Sequence, residues 1–111
     1  MHEMSIACSI ADIAVAQARA AGAGRVNTVE IEVGRLAGVE VESLRFCWDA
    51  ARGGLAAGAE LVIHEIPGRG HCPRCGQDSG VDFHVALCPR CEGPLRILQG
   101  RELRVRCLNV D

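Results

Sequence analysis

Two Cys-Pro-Arg-Cys units, Cys72 to Cys75 and Cys88 to Cys91, stand twelve residues apart and constrain this chain more than any other feature. Each unit bends two thiolates toward one point, and four thiolates fill the tetrahedral sphere that Zn²⁺ accepts. The spacing is tighter than the window of about 15 to 20 residues usual for paired CxxC sites. A short hairpin over Val81 to Leu87 is expected to bring the units together, with Gly76 and Gly93 permitting the tight turns behind each pair. Four sulfur ligands leave no open coordination position, so the ion is expected to be structural and hydrolytic zinc chemistry is not. The competing reading, two CxxC disulfides or packed thiols, is disfavoured wherever thiols stay reduced. His71 and His84 lie beside the units; they are expected to be solvated or to donate to the sulfurs, with ligand exchange or a second ion as the alternative. Cys8, Cys47 and Cys107 are isolated within helix or strand patterns and are expected to pack as small core hydrophobes. His64, within a strand pattern, is given no functional role.

Seven cysteines cannot all pair within one chain, which again turns the reading toward metal and free thiol. At 111 residues the chain supports one domain, or a small one with a satellite. A chain of this size buries roughly two-thirds of its unfolded surface, so a metal staple adds usefully to a modest core. The 12 basic residues are all Arg, and 14 acids bring the net charge to −2. That balance, with three aromatics, disfavours a binder that neutralises phosphates and stacks bases. Ile6 to Ala21 resembles a secretory leader, but Glu3 stands where a basic residue belongs and Asp12 interrupts the run. No stretch reaches the length of about 18 apolar residues needed to span a membrane. A cytoplasmic protein of a reducing compartment, with no membrane and no nucleic-acid partner, is therefore expected.

Composition changes near residue 67, because all four prolines fall between Pro67 and Pro94. Residues 1–68 carry five Arg against nine acids, and residues 69–111 carry seven Arg against five acids. Ile6, Ile10 and Ile13 beside a face of alanines predict a helix over about 5–21, with Ser5 as cap and Gly22 as stop. Val29, Ile31 and Val33 alternate with Glu30 and Glu32, a strand with one wet face. Val41, Leu44, Trp48, Ala51 and Leu55 predict a second helix ending at Gly53-Gly54, followed by a strand at 60–66. Leu95 with Ile97, and then Leu103, Val105 and Cys107, alternate again. The expected fold is α+β: two helices packed on a small mixed sheet, an inserted zinc-ribbon-like module, and a C-terminal strand returning to the sheet. The expected modules are residues 1–68 with about 100–111, and residues 69–99.

The chain begins Met1-His2-Glu3. A free amine on residue 1, the amide nitrogen of residue 2 and the imidazole of residue 2 can close fused chelate rings on one metal. The amide or carboxylate of Glu3 completes four-coordination, and a plane of nitrogen donors suits Ni²⁺ or Cu²⁺ rather than tetrahedral Zn²⁺.

Met1-His2-Glu3-Met4-Ser5, the Glu-rich strand ending in Gly34-Arg35-Leu36, the Glu42-Ser43-Leu44-Arg45-Phe46 helix and the late paired CxxC units together resemble the HypA/HybF family of nickel metallochaperones, over nearly the whole chain. The resemblance implies a nickel-binding α/β module holding Ni(II) through His2, the amine of Met1 and neighbouring backbone nitrogen, with Glu3 in support. It also implies structural Zn(II) on Cys72, Cys75, Cys88 and Cys91. Family members pass nickel to the large subunit of [NiFe]-hydrogenase alongside a nickel-handling GTPase, and some serve urease. They are carriers, not enzymes. Two rivals start from the same residues. A zinc-ribbon adaptor for nucleic acid or a polymerase-type partner would use the Arg-rich second half. A thiol oxidoreductase or metallohydrolase lacks the strand-to-CxxC-to-helix context, and His2 lacks partners at helical spacing.

Overall fold

Alanines at positions 7, 11, 14 and 18, with Ile10 among them, recur at three- and four-residue steps and line up along one side of a helix. In the computed structural model, which describes residues 2–82 and 86–111, that stripe is the buried face of helix α1, Glu3–Ala20. The small side chains admit the close approach of a second helix. Ile13, expected in the core, is instead 46% exposed, because the alanine stripe rather than the isoleucine stripe faces inward. The helix also starts earlier than the sequence suggests: His2, not Ser5, is the cap residue, and its carbonyl accepts from Ile6 N at 3.1 Å. Glu3 in the first turn places a negative charge where the helix dipole favours one. At the other end Gly22 adopts φ +71°. The N–H groups of Gly22 and Ala23 return to Arg19 and Ala18 at 3.0 and 2.9 Å, the paired bonds of a Schellman stop.

Strand β1, Val26–Gly34, buries Val29, Ile31 and Val33 to within 1% of complete, as the alternation predicts. Helix α2, Val41–Ala51, starts where the Glu40 side chain accepts from Glu42 N, and buries Leu44 and Trp48. It ends at Ala51, short of Leu55; extended Gly53 breaks it and a 3-10 turn, Gly54–Ala56, carries the chain onward. Trp48 Nε1 and Arg52 Nη1 both donate to Ala59 O, at 2.9 and 3.0 Å, tying this turn to α2 just before strand β2, Glu60–Ile66. The C-terminal strand β6, Leu103–Val110, returns as expected, giving a sheet of order β2-β1-β6. β1 and β6 run antiparallel, since Gly34 N reaches Glu102 O at one end and Asp111 N reaches Arg25 O at the other.

Between β2 and β6 lie three short strands: β3, Arg69–His71, β4, Asp78–Gly80, and β5, Arg96–Gln99. They form an antiparallel sheet of order β4-β3-β5 with Gly70 opposite Ser79 on one side and Ile97 on the other. Leu87 and Pro94 form an isolated antiparallel bridge. The centre of the hairpin expected over Val81 to Leu87 lies outside the described residues, and so does His84.

The chain divides into two compact units: residues 1–31, 39–64 and 104–111 form the first, and residues 32–38 and 65–103 the second. The core of the first joins the α1 stripe to Val26, Val29, Ile31, Leu44 and Trp48. Among the described residues the second has little buried apolar bulk, its largest fully buried side chains being Val33 and Cys72. Its backbone compensates by close approach: a Cβ on Gly34 would overlap the carbonyl of Gly100, and one on Gly100, whose φ is +117°, would sit 2.7 Å from Gly68 Cα.

Candidate metal centres

Cys72 follows β3, Gln77 precedes β4, and the first Cys-Pro-Arg-Cys unit fills the turn between them. Cys72 N donates to Gln77 O at 2.8 Å, Gly76 N donates to Cys72 O at 2.7 Å, and Gly76 takes φ +69° to close the loop. The second unit repeats this pattern inside the Leu87–Pro94 bridge: Cys88 N to Gly93 O at 2.8 Å and Glu92 N to Cys88 O at 2.8 Å. Here the left-handed position is occupied by Glu92, φ 59°, and not by the glycine. The expected turn role of Gly93 is therefore corrected. Gly93 is needed for room, since a Cβ there would meet Cys91 Sγ at 3.2 Å and Arg74 Cδ at 3.3 Å.

These two turns bring Cys72, Cys75, Cys88 and Cys91 together, with all four sulfurs within 4.8 Å of one another. Cys72 Sγ lies 3.6 Å from Cys91 Sγ, and Cys88 Sγ lies 3.9 Å from Cys75 Sγ. An ion bound at about 2.3 Å by four sulfurs requires tetrahedral edges of about 3.8 Å, so the donor set fits a divalent metal such as zinc. None of the cysteines is in a disulfide. Backbone N–H groups of Cys75, Arg90 and Gly93 point at the sulfurs of Cys72, Cys88 and Cys91 at 3.3 to 3.4 Å, the donors that stabilise thiolate. Donation from the Cys91 and Arg90 backbone holds the Cys88 thiol down to about 6. Cys75 is pushed up to about 12, first by hydrogen bonding with Cys91 and then by burial and the other sulfurs. Four crowded sulfurs cannot all ionise without a cation to offset them, and a bound cation lets them. Among the described residues this is the one set of three or more Cys, His, Asp or Glu whose donor atoms converge so closely.

His71, expected to be solvated or to donate to sulfur, sits on β3 with Nδ1 2.7 Å from Asp78 Oδ1, directly across the ladder. The other cysteine expectations are corrected. Cys8 and Cys107 are exposed and Cys47 is half-buried. Strand position alone does not say which face a residue takes. His64 also acquires a partner that its place in a strand could not reveal: Nε2 lies 2.7 Å from Oε1 of Glu30, whose other carboxylate oxygen accepts from Cys107 Sγ at 3.1 Å.

At the other candidate centre, Met1 lies outside the described residues. His2 is exposed at the cap of α1. Glu3 follows it, and its carboxylate accepts from Glu40 N at 3.2 Å, which holds the Glu3 carboxyl below its ordinary value. The first N–H groups of any α-helix have no carbonyl partner within the helix. The amide nitrogens of His2 and Glu3 therefore stand outside the hydrogen-bond ladder of α1, beside the imidazole.

A family model described as hydrogenase/urease nickel incorporation, metallochaperone, HypA, matches residues 1–110. The hydrogenase maturation factor HypA of Chlorobium luteolum is 50% identical over 114 residues, covering 100% of this chain and 97% of that protein. Its counterpart in Chlorobaculum tepidum is 50% identical over 113 residues, covering all of both. The solution structure of the Ni metallochaperone HypA from Helicobacter pylori shares the fold, with a TM-score of 0.70 at 20% identity over 99% of this chain and 97% of that one.

Proposed function

Because the chain belongs to the HypA family of hydrogenase and urease nickel-incorporation metallochaperones, we propose that it carries Ni(II) on Met1, His2 and Glu3 and delivers it for maturation of [NiFe]-hydrogenase. The observation that carries this reading is the position of His2: an exposed imidazole at the cap of α1, next to amide nitrogens that the helix does not use. Metallating those nitrogens breaks no helical hydrogen bond. The amine of Met1, the amide and ring nitrogens of His2 and the amide of Glu3 supply the four donors a square-planar ion prefers. Glu3 contributes through its backbone, because its carboxylate is engaged by Glu40 N; that bond supports the site by fixing the start of α1 against the start of α2.

An exposed site suits exchange with a partner, here a nickel-handling GTPase and then the hydrogenase large subunit; urease is the alternative recipient. Cys72, Cys75, Cys88 and Cys91 hold Zn(II), which supplies cross-linking to the second unit and no reactive position.

The test is metal titration of zinc-loaded protein with and without a few residues added before Met1. One nickel per chain should bind the unextended protein, and none the extended protein or His2→Ala, with zinc retained by all three. Nickel binding unaffected by the extension would reject the site. The amine, the imidazole nitrogen and both amide nitrogens bind only without their protons, which the ion displaces to solvent. Affinity should therefore fall between pH 8 and pH 6, and a flat profile would exclude these ligands.

A further inference from the structure

Strand β6 pairs with β1 on one side, and among the described residues no strand lies against its other edge. An antiparallel ladder uses the N–H and C=O of every second residue, so along Leu103–Val110 the remaining half face outward. The strand has no proline to close that edge. A groove of about 480 Å³ lies between β6 and α1. Ile13, Gln17 and Ala21, at four-residue steps along α1, line one wall, and Val105, Leu108 and Val110 of β6 line the other. No β1 residue lines it, so it opens on the side away from β1. The three strand residues are half-buried and Ile13 is 46% exposed, which leaves the layer between helix and sheet incompletely filled here. A strand added at this edge would stand about 4.8 Å from β6, and its inward side chains would enter the groove.

The strand already on the other side of β6 indicates what chemistry the open edge accepts. β1 buries Val29, Ile31 and Val33 and carries Glu30 and Glu32 at the alternate positions. Glu30 accepts from the Cys107 thiol of β6 at 3.1 Å, and Arg106 lies near enough to favour its ionised form. The side chains of β6 stand between both of its edges, so a strand on the open edge meets the same apolar row and the same basic one. β6 itself carries Arg104 and Arg106 and no acid. The β6 of a second copy would therefore bring more Arg and no carboxylate to the ladder, and like charges directly opposite destabilise one. We propose that the open edge of β6, with the groove beside α1, binds an extended segment of a partner protein in which apolar residues alternate with Glu or Asp, as a fourth strand of the sheet. Main-chain hydrogen bonds supply the affinity, and the alternating side chains the selectivity. The apolar residues pack against Ile13, Leu108 and Val110, and the carboxylates lie on the other face beside Arg106. This edge shares no residue with the nickel or zinc ligands.

The test is calorimetric titration of the zinc-loaded, full-length chain with an end-capped peptide, Thr-Val-Glu-Val-Glu-Val-Thr, followed by amide hydrogen exchange of the complex. One peptide per chain should bind, and exchange should slow along β6 while that of α2 is unchanged. The same peptide with Pro in place of its central Val lacks a ladder donor and should not bind. Arg106→Glu, a change at an exposed side chain, should weaken binding roughly fivefold, and exchanging both peptide Glu for Arg should restore it to that variant. Absence of binding at millimolar peptide, equal binding of the Pro peptide, or affinity indifferent to Arg106→Glu would overturn the proposal. The first two outcomes need no protein variant, so they are independent of how the substitution folds. Self-association of the chain that slows the same β6 amides without peptide would assign the edge to a second copy, and would equally defeat the proposal.

Discussion

Glu92 is the described non-glycine residue with positive φ, at 59°, and it occupies in the second Cys-Pro-Arg-Cys turn the position that Gly76 fills in the first. A β-carbon in the left-handed region costs roughly 1 to 2 kcal/mol, and the turn maintains it because Cys88 O must be capped by the N–H of residue 92. Glu92→Gly should therefore stabilise the zinc-loaded protein by about 0.5 to 1 kcal/mol, read as a higher melting temperature; a lower one would mean that the Glu92 side chain makes a contact that outweighs the strain. At Glu30, hydrogen bonding from His64 and then from Cys107 lowers the carboxyl below its ordinary value. A lowered carboxyl contributes stability that is present above the unfolded value of about 4.3 and is lost as pH falls through the folded value. Acid unfolding below about pH 4.3 should accordingly be less steep in Glu30→Gln; an unchanged acid limb would show that His64 and Cys107 hold Glu30 no differently from water.

At the scale of elements, the second unit is assembled by backbone proximity more than by side-chain volume. Gly34, at the end of β1, lies against Gly100, and Gly100 lies against Gly68, so the loop before β6 and the start of β3 close with no room for a β-carbon. Hydrogen bonds from Gly34 N to Glu102 O and from Leu36 N to Gly100 O, both 2.7 Å, set that spacing. Gly34→Ala should cost about 3 kcal/mol or more, because the obstacle is backbone and has nowhere to go. The measurement is denaturant unfolding of the zinc-loaded protein; a change within about 0.5 kcal/mol would mean that the loop at Gly100 yields freely. The alternating Val29, Ile31 and Val33 announced β1 in the sequence, and the Gly53-Gly54 pair announced the break after α2. The glycine contact was not announced, since nothing local distinguishes Gly34 from a glycine that merely ends a strand.

For the whole molecule, the division into units revises the charge argument. Drawn at residue 68, the second half has a surplus of Arg; drawn along the compact units, the second unit holds Arg35, Arg69, Arg74, Arg90, Arg96 and Arg101 against six acids. The surplus that favoured a nucleic-acid adaptor disappears once Arg104 and Arg106 are placed with the first unit on β6. The units should also respond differently to metal removal. The first has a core of Ile31, Leu44, Trp48 and the α1 alanines, whereas the second, among the described residues, has Val33, Val81 and two buried cysteines. Apparent binding free energy at structural zinc sites is about 10 to 16 kcal/mol and is coupled to folding, far above what so few apolar side chains supply. A strong chelator should release protected amides throughout β3, β4 and β5 while those of α1 and α2 persist, as read by hydrogen exchange; equal protection of both units without metal would refute the structural role of the four sulfurs.

The four-cysteine centre was legible from spacing alone, because the geometry of a Cys-x-x-Cys turn is local and two such turns need only a short connection to face one another. The alternation of β1, the helical periods and the returning C-terminal strand were legible for the same reason: burial of one face imposes a period on the residues that make it. Tertiary structure alone decided which side of each strand met solvent, and so drew His64, Glu30 and Cys107 together from positions 34 and 43 residues apart along the chain. It also decided that alanine rather than isoleucine would face inward on α1, and that Glu92 would adopt the left-handed turn. Those outcomes depend on what lies across a ladder or against a helix, and that information is absent from the neighbours of a residue in sequence.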